Sequence, residues 1–203
     1  MKDDFANLET EKVGRKIKKN SDPVAYLVQN FIEEHDEINS ILKKNNKNIT
    51  KAIDKFTSTF SAGGSIYFIG AGTSGRLGVL EAAECPPTFG TSPNKIIALM
   101  AGGNSAVFKS KEGAEDSSVN SQKDLKNKKF SKNDLLIGIS ASGTSEYVLS
   151  GIKFAKKLKA KTILISCNHL KNKVSDLDLE LNVGSEFVAG STRLKSGTIT
   201  KNV

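Results

Sequence analysis

Two short segments rich in glycine and hydroxyl side chains carry most of the chemistry visible in this sequence: Gly70-Ala71-Gly72-Thr73-Ser74-Gly75-Arg76 and Ile139-Ser140-Ala141-Ser142-Gly143-Thr144-Ser145. Each follows an apolar run and leads into a helical pattern, so each reads as a strand–turn–helix unit. Glycine lets main chain come close to a ligand, while the free N–H groups of a helix start and the Ser and Thr hydroxyls donate to an anion. A phosphate or carboxylate is the natural guest. A tight turn into a capped helix with no ligand is the alternative, and two such turns in equivalent places weigh against it. The first segment also matches the dinucleotide pattern G-x-G-x-x-G. That reading needs an acidic residue after the next strand to hold a ribose, and the next strand ends Leu99-Met100-Ala101-Gly102-Gly103. A P-loop is excluded because Arg76-Leu77 stands where Lys-Ser or Lys-Thr is required.

Two acidic neighbourhoods follow, Glu81-Ala82-Ala83-Glu84-Cys85-Pro86-Pro87 and Glu112-Gly113-Ala114-Glu115-Asp116. The proline pair is expected to end any helix directly after Glu84 and so to put that carboxylate at a chain reversal. Spacing alone leaves open whether these carboxylates do acid–base work or are ordinary solvated residues. Cys85 and Cys167 stand far apart without metal-ligand companions, so neither a disulfide framework nor a zinc site is expected, and Cys85 reads as a packing residue. His35 and His169 read as surface residues.

The elements that would position these groups are legible as alternating patterns. Ser65–Gly70, Lys95–Met100, Asp134–Ser140 and Lys161–Ser166 are short, nearly continuous apolar runs, as expected of parallel strands buried on both faces. Leu177–Val183 alternates, which predicts an edge strand with one wet face. Helices are predicted over Ser74–Ala83, Ser118–Lys128 and Thr144–Leu158. Before the sheet, Asp22 can cap and Pro23 can open a helix whose apolar positions run to Leu42, and a second helix is predicted over Asn48–Phe60, stopped by Gly63-Gly64. The expected fold class is α/β, a doubly wound parallel-sheet sandwich preceded by an N-terminal helical segment, with ligands at the carboxyl ends of the strands. Residues 1–21 read as a polar arm and 22–62 as N-terminal helices.

Composition narrows the partners. The formal charge of +8 comes from 30 basic and 22 acidic residues, nearly all the basic ones being lysine. The lysines are scattered among asparagines, as in Lys43-Lys44-Asn45-Asn46-Lys47-Asn48, and are not a stripe interleaved with aromatics, so a small anionic substrate is expected and nucleic acid is not. No stretch is long and apolar enough to span a membrane and Met1-Lys2-Asp3-Asp4-Phe5 opens no signal peptide, so a cytoplasmic protein is expected.

The run Gly70 to Gly78 followed by Ala83-Glu84-Cys85-Pro86-Pro87-Thr88-Phe89-Gly90 closely resembles the signature of the N-acetylmuramic acid 6-phosphate etherases. Ala101-Gly102-Gly103, Glu112–Asp116, Ala141-Ser142-Gly143, Ile165-Ser166-Cys167-Asn168 and Gly190–Thr198 follow in that family's order, and Leu8-Glu9-Thr10-Glu11 is similar to its opening. The resemblance implies a sugar isomerase-type (SIS) domain over 63–203, incomplete at its C-terminus because the family runs on with further helical structure. It implies a homodimer and an elimination and hydration that remove D-lactate from the C3 ether, leaving N-acetylglucosamine 6-phosphate, as part of peptidoglycan recycling. No metal or organic cofactor is implied. By matching motifs, Glu84 would be the acid and Glu115 the base. Ser140, Ser142, Gly143, Thr144 and Ser145 would cradle the 6-phosphate. Gly72, Thr73, Ser74, Gly75 and Arg76 would line the sugar or lactyl side, with Ser191, Arg193 and Lys195 near the substrate's anionic groups. Where the family usually reads Thr-Pro-Tyr, this chain reads Ser145-Glu146-Tyr147, which brings an extra carboxylate to the phosphate cradle. A sugar-phosphate-sensing module without catalysis, or an inactive shortened copy, is the alternative.

Overall fold

The computed structural model describes residues 8–12 and 22–203, so most of the predicted N-terminal arm lies outside the described residues. The strands are β1 (Ile66–Gly70), β2 (Ile96–Met100), β3 (Leu135–Ile139), β4 (Lys161–Ser166) and β5 (Leu177–Glu180). All pair in parallel, in the order β2-β1-β3-β4-β5. Their apolar runs have the character that a sheet covered on both faces demands, and all of β3 is buried. The alternating β5 takes an edge, where one face stays partly open.

Successive side chains point to opposite faces and build two cores. On one face Ile66, Ile137, Ile163 and Leu179 pack with Ile38, Ile49 and Phe56 from α1 (Pro23–Lys44) and α2 (Asn46–Ser61). The same face takes Ala82 and Cys85 of α3 (Gly72–Phe89) and Ile199 of α7 (Lys195–Asn202). On the other face Tyr67, Ile69, Leu136 and Leu164 meet Leu125 of α5 (Ser118–Asn127) and Tyr147, Val148 and Ile152 of α6 (Glu146–Lys157). A short helix α4 (Ser105–Phe108) follows β2. Asp22 caps α1, accepting from the N–H groups of Val24 at 2.9 Å and Ala25 at 3.3 Å, with Pro23 at the first turn, as its sequence predicts. An apolar hollow of about 280 Å³ opens between α2, the sheet and the end of α7, lined by Phe56, Phe68, Ile137, Ile163 and Val203 among others.

The helix after the first turn departs from expectation. It continues through Pro86 and Pro87 to Phe89, and the reversal comes at Gly90, in the left-handed region at φ 66°, whose N–H reaches the Pro86 carbonyl at 2.9 Å. Proline removes an N–H donor, but its fixed φ is helical, so a pair in the last turn loses two main-chain bonds without having to unwind the helix. Glu84 therefore sits on an exposed flank of α3 and not at a chain reversal.

Candidate functional site

The chain leaves β1 toward β2 on one side and returns to β3 on the other, so β1 and β3 are adjacent while their following connections diverge. This is the switch point at which open α/β sheets bind ligands. The two glycine turns leave from there, Gly70 and Ile139 being register partners. Between them lies a cavity of about 370 Å³, lined by Gly72, Thr73 and Ser74 from one turn and Ser140, Ser142, Thr144 and Ser145 from the other. Glu11, Glu115, Asp116, Gly190 and Thr192 complete its walls, with Ala71, Ile139 and Ala141 at its floor. A smaller hollow of about 190 Å³ shares Ala71, Gly72 and Glu115 with it and adds Arg76, Ser110, Lys111 and Glu112.

The turn after β3 is shaped by its own hydroxyls. Ser140, buried, accepts from the Gly143 N–H at 3.1 Å, and Ser142 accepts from the Thr144 N–H at 3.2 Å and the Thr144 hydroxyl at 2.8 Å. Gly143 takes a left-handed φ of 76°, and a Cβ there would lie 2.5 Å from Leu170 Cδ2, so only glycine closes this turn. Ser145 precedes α6 without capping it through its side chain, which leaves first-turn N–H groups open to an anion. Glu146, the first residue of α6, sets a carboxylate at the same helix start.

The turn after β1 is tight for a different reason. A Cβ on Gly70 would lie 2.7 Å from the Gly75 nitrogen, and one on Gly75 would lie 2.8 Å from the Gly70 oxygen. Gly75 is thus a packing residue and does not line the cavity. Arg76 donates from Nε to the Val107 carbonyl at 2.8 Å and from Nη2 to the Ala106 carbonyl at 2.9 Å, which anchors α4 beside the smaller hollow.

Glu115 sits in a 3₁₀ turn, Ala114–Asp116, entered through Gly113 at φ 73°. Its carbonyl accepts from the Ser145 hydroxyl at 3.4 Å, and the residue, which is exposed, lines both hollows. Glu84 lines neither, being about 18 Å along α3 from Gly72 at about 1.5 Å per residue. The 190–195 motif is likewise divided. Gly190 and Thr192 reach the cavity, whereas Ser191 makes main-chain turn bonds, Arg193 is exposed, and neither lines it. Lys195 is buried in an ion-pair cluster, 3.1 Å from Glu37 and 3.4 Å from Glu34. Gly143 shapes the turn but does not line the cavity. Glu11, Asp116, Gly190 and Thr192 line the cavity without having been expected there; their only signal was membership of matched motifs.

Neither cysteine is poised as a nucleophile. Burial pushes the Cys167 thiol up to about 11 and also raises Cys85, with Glu81 adding to the second effect. His169 is exposed and pairs with Glu180 at 2.9 Å, while the side chain of His35 lies outside the described residues. Among the described residues no group of three or more His, Cys, Asp or Glu could hold a metal ion, and no helix is long and apolar enough to cross a membrane.

A family model described as "Glucokinase regulatory protein N-terminal SIS domain" matches residues 48–156, over half of the chain and across both glycine turns. The chain belongs to this SIS-domain family. Among curated proteins, the SIS chain is 46% identical over 173 residues to an N-acetylmuramic acid 6-phosphate etherase from Clostridium botulinum (strain Okra), covering 84% of this chain and 57% of that protein. It is 50% identical over 168 residues to another so named from Staphylococcus saprophyticus, covering 81% and 55%. The chain thus spans little more than half the length of these relatives. The fold is also that of a phosphoheptose isomerase from Neisseria gonorrhoeae, with a TM-score of 0.59 at 20% identity over 88% of this chain and 91% of the other.

Proposed function

We propose that this SIS domain binds a sugar 6-phosphate at the β1–β3 switch point and carries the site of an N-acetylmuramic acid 6-phosphate etherase. The observation that carries the reading is the position of Glu115 on the wall between a hydroxyl-lined cavity and a hollow bearing Arg76 and Lys111. The substrate has two anionic ends, a phosphate and a lactyl carboxylate. The turn from Ser140 to Ser145 with the open start of α6 suits the phosphate, and Arg76 with Lys111 suits the carboxylate. A sugar held by both ends brings C3, and C2 beside it, toward the wall that Glu115 shares between the two hollows.

The ether bond is unactivated, so a carbanion must form beside it. In the open-chain aldehyde the C2 proton is acidified by C1; Glu115 takes it, the electron pair forms the C2–C3 double bond, and the C3–O bond breaks as the lactyl oxygen receives a proton. Water then adds across the double bond, its hydroxyl at C3 and a proton at C2. No step calls for a metal or organic cofactor. Glu84 is the proposed acid, and its place on the exposed flank of α3, away from its own chain's cavity, leads us to assign it to the cavity of a second copy in a homodimer. The setting would be the cytoplasm, in the recycling of cell-wall sugars.

The absence of Glu84 from the cavity of a single chain favours one other reading, a sensor that binds the sugar phosphate and leaves the ether intact. Incubation with N-acetylmuramic acid 6-phosphate separates the two. The etherase reading expects D-lactate release that Glu115→Gln reduces at least 100-fold; binding without any release of D-lactate would establish the sensor instead.

A further inference from the structure

A short N-terminal segment, residues 8–12, stands at the wall of the cavity, more than 150 positions from the residue that holds it. Thr10 is fully buried there. The Asn168 side-chain Oδ1 accepts from the N–H groups of Glu9 at 3.0 Å and Thr10 at 3.4 Å. The Asn168 amide donates to the Thr10 hydroxyl at 3.1 Å and to the Ala141 carbonyl at 3.0 Å. Asn168 is itself only 2% exposed, and the Ser166 hydroxyl donates to its main-chain carbonyl at 2.9 Å. Every hydrogen-bonding group of one buried amide thus joins this strap to Ala141, in the middle of the phosphate-side turn.

The strap's 3₁₀ turn, Glu9–Glu11, brings Glu11 to the cavity. Its Oε2 lies 3.6 Å from where a Cβ of Gly190 would be, which sets the carboxylate against the 190–192 loop. Among the described residues the Glu11 carboxylate has no hydrogen-bond or ion-pair partner. A free carboxylate repels a phosphate, so it is an unsuitable neighbour for that end of the ligand. The rest of a sugar presents O–H and amide N–H donors, and a carboxylate accepts such bonds more strongly than a neutral hydroxyl does.

We propose that Glu11 is a specificity-determining residue, accepting hydrogen bonds from the hydroxyl or amide donors at the non-phosphate end of the sugar, and that Asn168 is the positioning residue that locks its strap in place. The proposal rests on the sugar-phosphate reading of the cavity and deepens it.

Calorimetric titration of the full chain with N-acetylglucosamine 6-phosphate and with inorganic phosphate tests it. Glu11→Ala should weaken the sugar phosphate at least tenfold and leave inorganic phosphate unchanged or tighter, because a like charge has been removed. Glu11→Gln, which keeps an acceptor and cannot disturb packing, should retain most of the preference. Asn168→Ala should lose the same sugar preference, and the double variant should be no worse than either single one, since both act through one contact. Sugar-phosphate binding by Glu11→Ala within twofold of the unchanged chain would overturn the proposal, as would equal losses for both ligands. An unchanged chain that binds the two ligands equally well would also overturn it. D-lactate release by the unchanged chain is read separately, so the etherase reading can fail while a sugar-selective strap stands.

Discussion

Replacing Lys195 by methionine keeps the apolar stem and removes one charge, and the structure makes the consequence specific. The ammonium lies 3.1 Å from Glu37 and 3.4 Å from Glu34, with side-chain exposures of 5% for Lys195, 12% for Glu34 and 43% for Glu37. Breaking a wholly buried pair costs about 3–5 kcal/mol, but the exposed Glu37 contact is screened, so about 2–3 kcal/mol is expected near neutral pH. That corresponds to a fall in Tm of about 5–10 °C for a domain of this size. Burial holds the Glu34 carboxyl above its ordinary range, Lys195 opposes that shift, and Glu186 and Glu37 add to it. Without the lysine only the raising influences remain. An acid whose folded pKa is raised binds its proton more tightly when folded, so the penalty on its charged form is present above the folded pKa and vanishes as pH falls below the unfolded value. The deficit of Lys195→Met should therefore be largest near pH 7.5 and shrink toward about pH 5. Circular-dichroism melts at both pH values decide it. An equal loss at the two pH values would refute the argument, as would a loss under about 0.5 kcal/mol. A stable variant that instead binds N-acetylglucosamine 6-phosphate much more weakly would return Lys195 to the substrate.

Two further outcomes follow from the site. Glu84→Gln and Glu115→Gln chains, each inactive in lactate release alone, should regain about a quarter of the activity of the unchanged chain after unfolding and refolding together in equal amounts, because half the dimers are mixed and one site of each has both glutamates; no recovery would place Glu84 outside a shared site. Glu146→Gln removes a carboxylate from the start of α6, so inorganic phosphate should bind about two- to fivefold tighter at low ionic strength and less so at high salt, measured by titration calorimetry.

The sheet was legible because a doubly covered parallel strand must be almost continuously apolar, a constraint that Leu135–Ile139 and Lys161–Ser166 obey without ambiguity. The alternating β5 announced its edge for the complementary reason. The two turns were legible because their glycines answer local steric demands at Gly70, Gly75 and Gly143. What sequence could not supply were relations between distant segments. Nothing near Thr10 points to Asn168, and nothing near Lys195 points to Glu34, so the strap was left in a polar arm and the lysine assigned to the substrate. Glu84 was misplaced by treating Pro86-Pro87 as a stop, whereas this helix carries both prolines in its last turn and reverses only at Gly90.

The central claim is that the switch-point cavity presents Glu115 to the C2 proton of a bound sugar phosphate. Solvent deuterium incorporation at C2 of N-acetylglucosamine 6-phosphate, followed by proton NMR, tests it most directly, since it needs no departure of lactate. Exchange is expected with the unchanged chain, none with Glu115→Gln, and persistent exchange with Glu84→Gln. Exchange in Glu115→Gln at the rate of the unchanged chain would contradict it.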